Sequence, residues 1–269
     1  MKTRTLSSIF GGAILGIILY AGGAWVIISC MIISIISTYE ALKLTPHSKS
    51  GALTYIFVIV FMISALVSPD ITKFMYLSSM IIVMLVIACA LYTVSNSKEQ
   101  HPYKMLAYSI GLPIYSGFLF SHALLLYQAT SLPIGIGLKI LLLTIIGTFT
   151  TDTGAYIFGS LFGKIKIAPT ISINKTLEGS IGGFVSGVII TVAIGSLIQI
   201  PATLAQITIL GIAIGVSAQI GDLFESKLKR IMNTKESGTF MPGHGGLLDR
   251  IDGLLITLPI SYYIFWAIS

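Results

Sequence analysis

The chain has 269 residues, 55% hydrophobic and only 10% charged, with a formal net charge of +6. Soluble domains carry about 25% charged residues, so this composition excludes an ordinary water-soluble globule and makes lipid the expected solvent. The apolar runs are long and do not alternate with period two, which favours helices over a membrane barrel. Nine of them approach or reach the roughly 17 to 25 residues of a spanning helix, centred on Leu15, Ile32, Val60, Val83, Phe118, Leu143, Val188, Ile212 and Ile260. The first is short and follows Lys2 and Arg4, in the manner of a signal peptide. A second apolar run begins after only Gly22 and Gly23, however, and a hairpin of two spans accounts for both.

Lys and Arg collect in short cytoplasmic loops. Counted from a cytoplasmic N-terminus, the inner connections hold Lys2, Arg4, Lys43, Lys49, Lys98, Lys104, Lys164, Lys166, Lys175, Lys227, Lys229, Arg230, Lys235 and Arg250, fourteen of the sixteen basic residues. Only Lys73 and Lys139 fall outside. The expected fold is therefore all-α: a polytopic integral membrane protein of about nine transmembrane helices, N-terminus cytoplasmic and C-terminus outside. Such a basic inner face suits anionic headgroups and phosphorylated substrates, and nothing resembles a nucleic-acid module. Cys30 and Cys89 fall within spans and read as small packing residues.

Seven of the ten acidic residues lie at or after Asp152. One continuous membrane domain is expected, with residues 1–130 as scaffold and 131–269 as the catalytic region. In the scaffold, Glu40 and His101 read as interfacial loop groups, His122 as interhelical glue, and Tyr92 and Tyr127 as interface anchors. No internal repeat suggests a transporter built from inverted halves.

Three polar clusters mark the second half. The first is TTDTGAYIFGSLFGK (150–164) with KTLEG (175–179) just after it. Asp152 ends an apolar run, where a carboxylate is costly and suggests function; packing against a neighbouring Lys is the alternative. Gly154, Gly159 and Gly163 allow close helix approach. Lys175 and Glu178, three apart, are spaced to share a helix face, with the Lys free for a phosphate. The second cluster, GDLFESKLKR (221–230), places Asp222, Glu225, Ser226 and Lys229 on one helical stripe. The third, PGHGGLLDRIDG (242–253), forbids a continuous helix at its glycines and lets backbone N–H groups turn to an anion. A helix restarting near Leu247 puts Asp249 and Asp252 on one face near its N-terminus. Paired hard-oxygen ligands of this kind suit Mg²⁺, which completes its shell with water and substrate phosphates; a salt-bridged turn with Arg250 is the bland alternative. No zinc-like spacing occurs. Carboxylates, basic residues and a Gly-rich turn at one membrane face are the equipment of phosphoryl or nucleotidyl transfer.

Ser226 to Asp252, SKLKRIMNTKESGTFMPGHGGLLDRID, closely resembles the C-terminal signature of the phosphatidate cytidylyltransferases, or CDP-diacylglycerol synthases. The matching positions are Ser226, Lys229, Arg230, Lys235, Gly238, Pro242, His244, Gly245, Gly246, Asp249, Arg250 and Asp252. DTGAY and KTLEG resemble two further elements of that family. Glu236 stands where the family generally has Asp, and Leu177 where a Trp is usual. The resemblance implies a Mg²⁺-dependent enzyme, with a second cation an open option, that makes CDP-diacylglycerol and pyrophosphate from CTP and phosphatidate. It implies Asp222 and Asp249 as leading metal ligands with Asp252 in support, and Asp222, Asp249, Asp252, Lys229, Arg230 and His244 as the catalytic group. Lys175, Lys229, Arg230, Lys235 and Arg250 would clamp phosphates, with Gly245 and Gly246 forming the turn. His244 would donate to a phosphate oxygen or orient that turn, and Asp152 and Glu178 would orient a metal or a Lys. Expected partners are CTP, phosphatidate and membrane lipid, with a homodimer an open option and no nucleic acid. A cation- or proton-coupled transporter, or another lipid-phosphate transferase, is the alternative. With no recognisable cleavable leader or lipidation motif, a bacterial plasma membrane with the site facing the cytoplasm is the expected location.

Overall fold

The computed structural model describes residues 2–45, 51–96, 101–128, 135–238, 240 and 245–268, with side chains only for residues 11–267 of these. The chain runs as α1 (Lys2–Ala21), α2 (Gly23–Leu44), α3 (Gly51–Val67), α4 (Ile71–Ser95), α5 (Pro102–Leu112), a π-helical stretch (Pro113–Phe118), α6 (Leu119–Gln128), α7 (Ile136–Phe162), α8 (Leu177–Leu197), α9 (Leu204–Ile231) and α10 (Leu248–Ile268). Each of the nine predicted centres lies in a helical segment. Among the described residues, six stretches are long and apolar enough to cross a membrane: α2, α4, Pro102–Gln128, α7, α8 and α9. Gly11–Ala21 and Gly51–Val67 are shorter apolar helices. The composition and these helices make the chain an integral membrane protein.

By packing, the chain forms two compact units, one of residues 1–131 and 236–250 and the other of 132–235 and 251–269. In the first, α1 and α2 are joined at Gly22 and Gly23, whose φ angles of 62° and 53° favour residues without a Cβ. The Gly23 N–H donates to the Tyr127 hydroxyl, so Tyr127 holds this turn and is more than an interface anchor. Phe57 and Phe61 of α3 pack with Ile81, Leu85 and Cys89 of α4, which gives Cys89 the packing role expected of it. Buried His122 lies edge-on to Phe74 and Phe118, as interhelical glue would.

The predicted span around Phe118 is not a uniform helix. Pro113 has no N–H to give the preceding turn, and the helix widens into a π segment there. That segment is tied to α2: Ser34 Oγ donates to the Ser116 carbonyl at 2.7 Å, and the Thr38 and Ser116 hydroxyls meet at 2.8 Å. A Cβ on Gly117 would lie 2.9 Å from Val58 Cα, so its absence lets α3 close in. Hydrogen bonds and close packing of this kind hold membrane helices together, because apolar burial gives little driving force in lipid. Met80, Val83, Met84, Ile87, Leu91 and Val94 of α4 remain exposed, an apolar surface suited to acyl chains.

In the second unit α7, α8 and α9 run antiparallel, and glycine sets their spacing. A Cβ on Gly183 would stand 2.5 Å from the Thr151 carbonyl and 2.8 Å from Ala155 N. Gly179 meets the Ala155 carbonyl, and Gly187 the Thr151 side chain, in the same way. The α7–α8 contact is thus backbone on backbone along a four-residue repeat of glycines, the close approach expected from Gly154 and Gly159. At the far end Lys139 Nζ donates to the Ile198 carbonyl at 2.8 Å, capping the end of α8.

Candidate active site

The connection between α7 and α8 folds back on itself. Ile167 N–H donates to the Lys175 carbonyl at 3.2 Å and Leu177 N–H to the Ile165 carbonyl at 2.8 Å. Thr176 then caps α8, its hydroxyl accepting from Gly179 N–H at 3.2 Å. Lys175 therefore precedes the helix and does not share a helical face with Glu178, contrary to the spacing argument. Its Nζ instead lies 2.8 Å from Asp222 Oδ2 on α9, with the two side chains 22% and 38% exposed. Glu178 accepts from Lys164 N–H at 2.9 Å and from Ile165 N–H, which staples the loop.

Lys175 and Asp222 line a cleft of about 240 Å³ together with Asp152, Asn174, Ser180 and Gln219. The first turn of α8 opens into it through Thr176 and Gly179. The positive end of a helix with a Lys beside it attracts phosphate oxygens. Next along α9, Glu225 is buried and takes Lys229 Nζ at 3.0 Å. Asp252, also buried, accepts from Gly253 N–H at 2.8 Å and lies in hydrogen-bonding reach of Glu225. Gly221 makes this possible, since a Cβ there would be 2.6 Å from the Asp252 carbonyl oxygen. Two carboxylates in contact need a shared proton or a cation. At the end of α9, exposed Arg230 donates through Nε to the Ile171 carbonyl at 3.0 Å.

A second constellation lies within the first unit. Gly245, with φ 84°, makes the left-handed turn into α10 that its residue type allows. Asp249 in the first turn of α10 accepts from Gly246 N–H at 2.8 Å and from Ser237 N–H at 3.0 Å. Glu40 of α2 accepts from Leu247 N–H at 3.1 Å and Leu248 N–H at 2.8 Å, with Ser237 Oγ at 3.5 Å. It is 3% exposed, so reading it as an interfacial loop group is corrected: it is a buried cap on α10 supplied from another helix.

Of the residues singled out in the sequence, Asp152, Lys175 and Asp222 share one cleft. Lys229 and Asp252 gather on Glu225. Gly245, Gly246 and Asp249 form the turn of the first unit, while Lys235 and Arg250 are exposed. His244 lies outside the described residues. Glu225 and Glu40 were not singled out as site residues. Glu225 belongs to the stripe already visible in GDLFESKLKR, whereas Glu40 left only the faint signal of a carboxylate closing an apolar run. Among the described residues no three His, Cys, Asp or Glu side chains converge as a ready-made metal cage.

Residues 2–268 match the cytidylyltransferase family. The chain belongs to that family. Similar proteins include the phosphatidate cytidylyltransferases of Staphylococcus haemolyticus and Staphylococcus aureus, each 32% identical over 263 residues, or 97% of both chains. That of Staphylococcus saprophyticus is 31% identical over the same span. The transporter alternative finds no support in this match.

Proposed function

We propose that this cytidylyltransferase joins CTP to phosphatidate, releasing pyrophosphate and leaving CDP-diacylglycerol in the membrane. The single structural observation carrying this reading is the Lys175–Asp222 pair beside the N-terminus of α8, a charged cleft among apolar helices. A phosphate oxygen of phosphatidate attacks the α-phosphorus of CTP, and the bond from that phosphorus to the oxygen bridging to the β-phosphate breaks. The nucleophile is already an anion, so no general base is needed and positioning with charge neutralisation does the work. Lys175 turns from Asp222 to a phosphate as substrate enters, beside the positive end of α8. Glu225 holds Lys229 for a second phosphate contact, with Arg230 and Lys235 as further proposed contacts of the same unit; Gly245, Gly246, Arg250 and His244 keep the phosphate role that the family signature implies. Asp152 and Glu178 orient the lysines and the loop.

The donor set fits Mg²⁺: Asp222, Asp252 and Glu225 are hard oxygens, and few protein ligands suffice when substrate phosphates complete the shell. Asp222 and Asp252 would hold it. Asp249, at its place in the family-like signature, is a further candidate. The ion would neutralise triphosphate charge and ease departure of pyrophosphate. We place the site at the cytoplasmic face of a bacterial plasma membrane, under about nine spans with the N-terminus inside. The basic clustering supports this orientation.

Purified protein in detergent, given phosphatidate and CTP, should release pyrophosphate and form a CDP-lipid in a Mg²⁺-dependent manner, with ATP a poor substitute. Asp222→Asn should lower turnover by a factor on the order of a hundred or more. A folded, lipid-supplied wild type that forms no nucleotide-lipid would overturn the reading.

A further inference from the structure

Glu40 belongs to the part of the chain whose sequence reads as scaffold, yet it is a nearly inaccessible carboxylate that accepts from Ser237, Leu247 and Leu248. Both oxygens are engaged: Oε1 accepts from Leu247 N–H at 3.1 Å, and Oε2 from Leu248 N–H at 2.8 Å with the Ser237 hydroxyl at 3.5 Å. The glycines around it are shaped to the carboxylate. A Cβ on Gly246 would stand 2.6 Å from Glu40 Oε2, and one on Gly238 would lie 2.8 Å from Glu40 Cδ. Gly238 is thus closed off by Glu40, and Gly246 by Glu40 together with the Ser237 hydroxyl, so neither has room for a Cβ. Asp249 clasps the same two flanks from the other direction, through Ser237 N–H and Gly246 N–H.

We propose that Glu40 is a positioning residue for nucleotidyl transfer, docking the Ser237–Gly238 and Gly245–Leu248 flanks so that the first turn of α10 and Asp249 are fixed before substrate binds. This rests on the function proposed above. The carboxylate acts through backbone amides and touches no reacting atom. Its negative charge at the start of α10 also matches the positive end of that helix. Glutamine keeps the size but offers one acceptor oxygen and turns an NH₂ toward N–H donors, so it cannot reproduce the contact.

The test uses the full-length protein in detergent micelles with phosphatidate, CTP and Mg²⁺. Glu40→Gln should retain the wild-type elution profile and helix content and lower kcat by about tenfold or more, with KM for phosphatidate little changed, as expected when a preorganised turn is loosened. Amide hydrogen exchange at Leu247 and Leu248 should accelerate in the same variant, and Glu40→Asp should recover part of kcat. Wild-type-like kcat in Glu40→Gln overturns the proposal, whether or not exchange changes. If the wild type itself makes no CDP-lipid, the functional reading fails, and unchanged exchange would then separately overturn the docking role. Should Glu40→Gln not fold, Gly238→Ala perturbs the same contact from the other side and should lower kcat likewise.

Discussion

Lys175 and Asp222 neutralise each other across 2.8 Å, and under the proposed function a phosphate competes for the lysine. Lys175→Gln should raise KM for CTP by about tenfold or more, the loss expected for one charge-assisted hydrogen bond, and Lys175→Arg should recover only part of it. Initial rates over a range of CTP concentrations decide this, and an unchanged KM would remove Lys175 from the nucleotide contacts. Asp222 was legible, because an Asp at the edge of an apolar run stands out against lipid, whereas Lys175 was singled out by a helix-face spacing that the structure does not have. Glu40 was not legible, for a physical reason. Its partners are backbone amides about 200 positions away, with Leu247 separated from it by 207, and an amide has no sequence signature. Asp249 shows the converse: its side chain advertises metal chemistry, and the structure has it holding Ser237 and Gly246 N–H groups.

At the scale of elements, helix existence was easy to read, because each of the nine apolar centres is helical. The π segment was not, since an apolar run containing Pro113 predicts interruption without saying how the turn is repaired; Ser34, Thr38 and Ser116 supply the answer from two different helices. The glycines of α7 and α8 were legible as permission for close approach, while the side that uses it emerges only from the packing. Gly183→Leu should separate the two helices and lower thermal stability in detergent by the several degrees that overpacking of about 1–3 kcal/mol causes. Ile189→Leu, at an exposed position of the same helix, should leave the melting temperature nearly unchanged. Equal melting of Gly183→Leu and wild type would show that the contact does not limit stability.

At the scale of the whole molecule, the sequence-derived topology makes a directional claim. In the second unit Lys164, Lys166, Lys175, Lys227, Lys229 and Arg230 lie toward one end of the antiparallel helices, and Lys139 lies at the other. With Cys30 and Cys89 replaced by Ala, a single Cys at Lys227 should react with a membrane-impermeant maleimide only in inverted vesicles. A Cys at Ala202 should react only in right-side-out ones; the reverse pattern would invert the orientation.

The division of the chain into units constrains how this architecture can be dissected or inherited. Between the two packing units the polypeptide passes at 131/132, again at 235/236, and a third time at 250/251, inside α10. No single cut yields two self-sufficient pieces. A fragment ending at residue 131 would carry the Glu40 carboxylate without the Ser237, Leu247 and Leu248 donors that satisfy it, and its complement would carry those amides without their acceptor. Each unit is thus assembled from separated stretches of the chain, so exchanging a single contiguous half with a relative would disturb both.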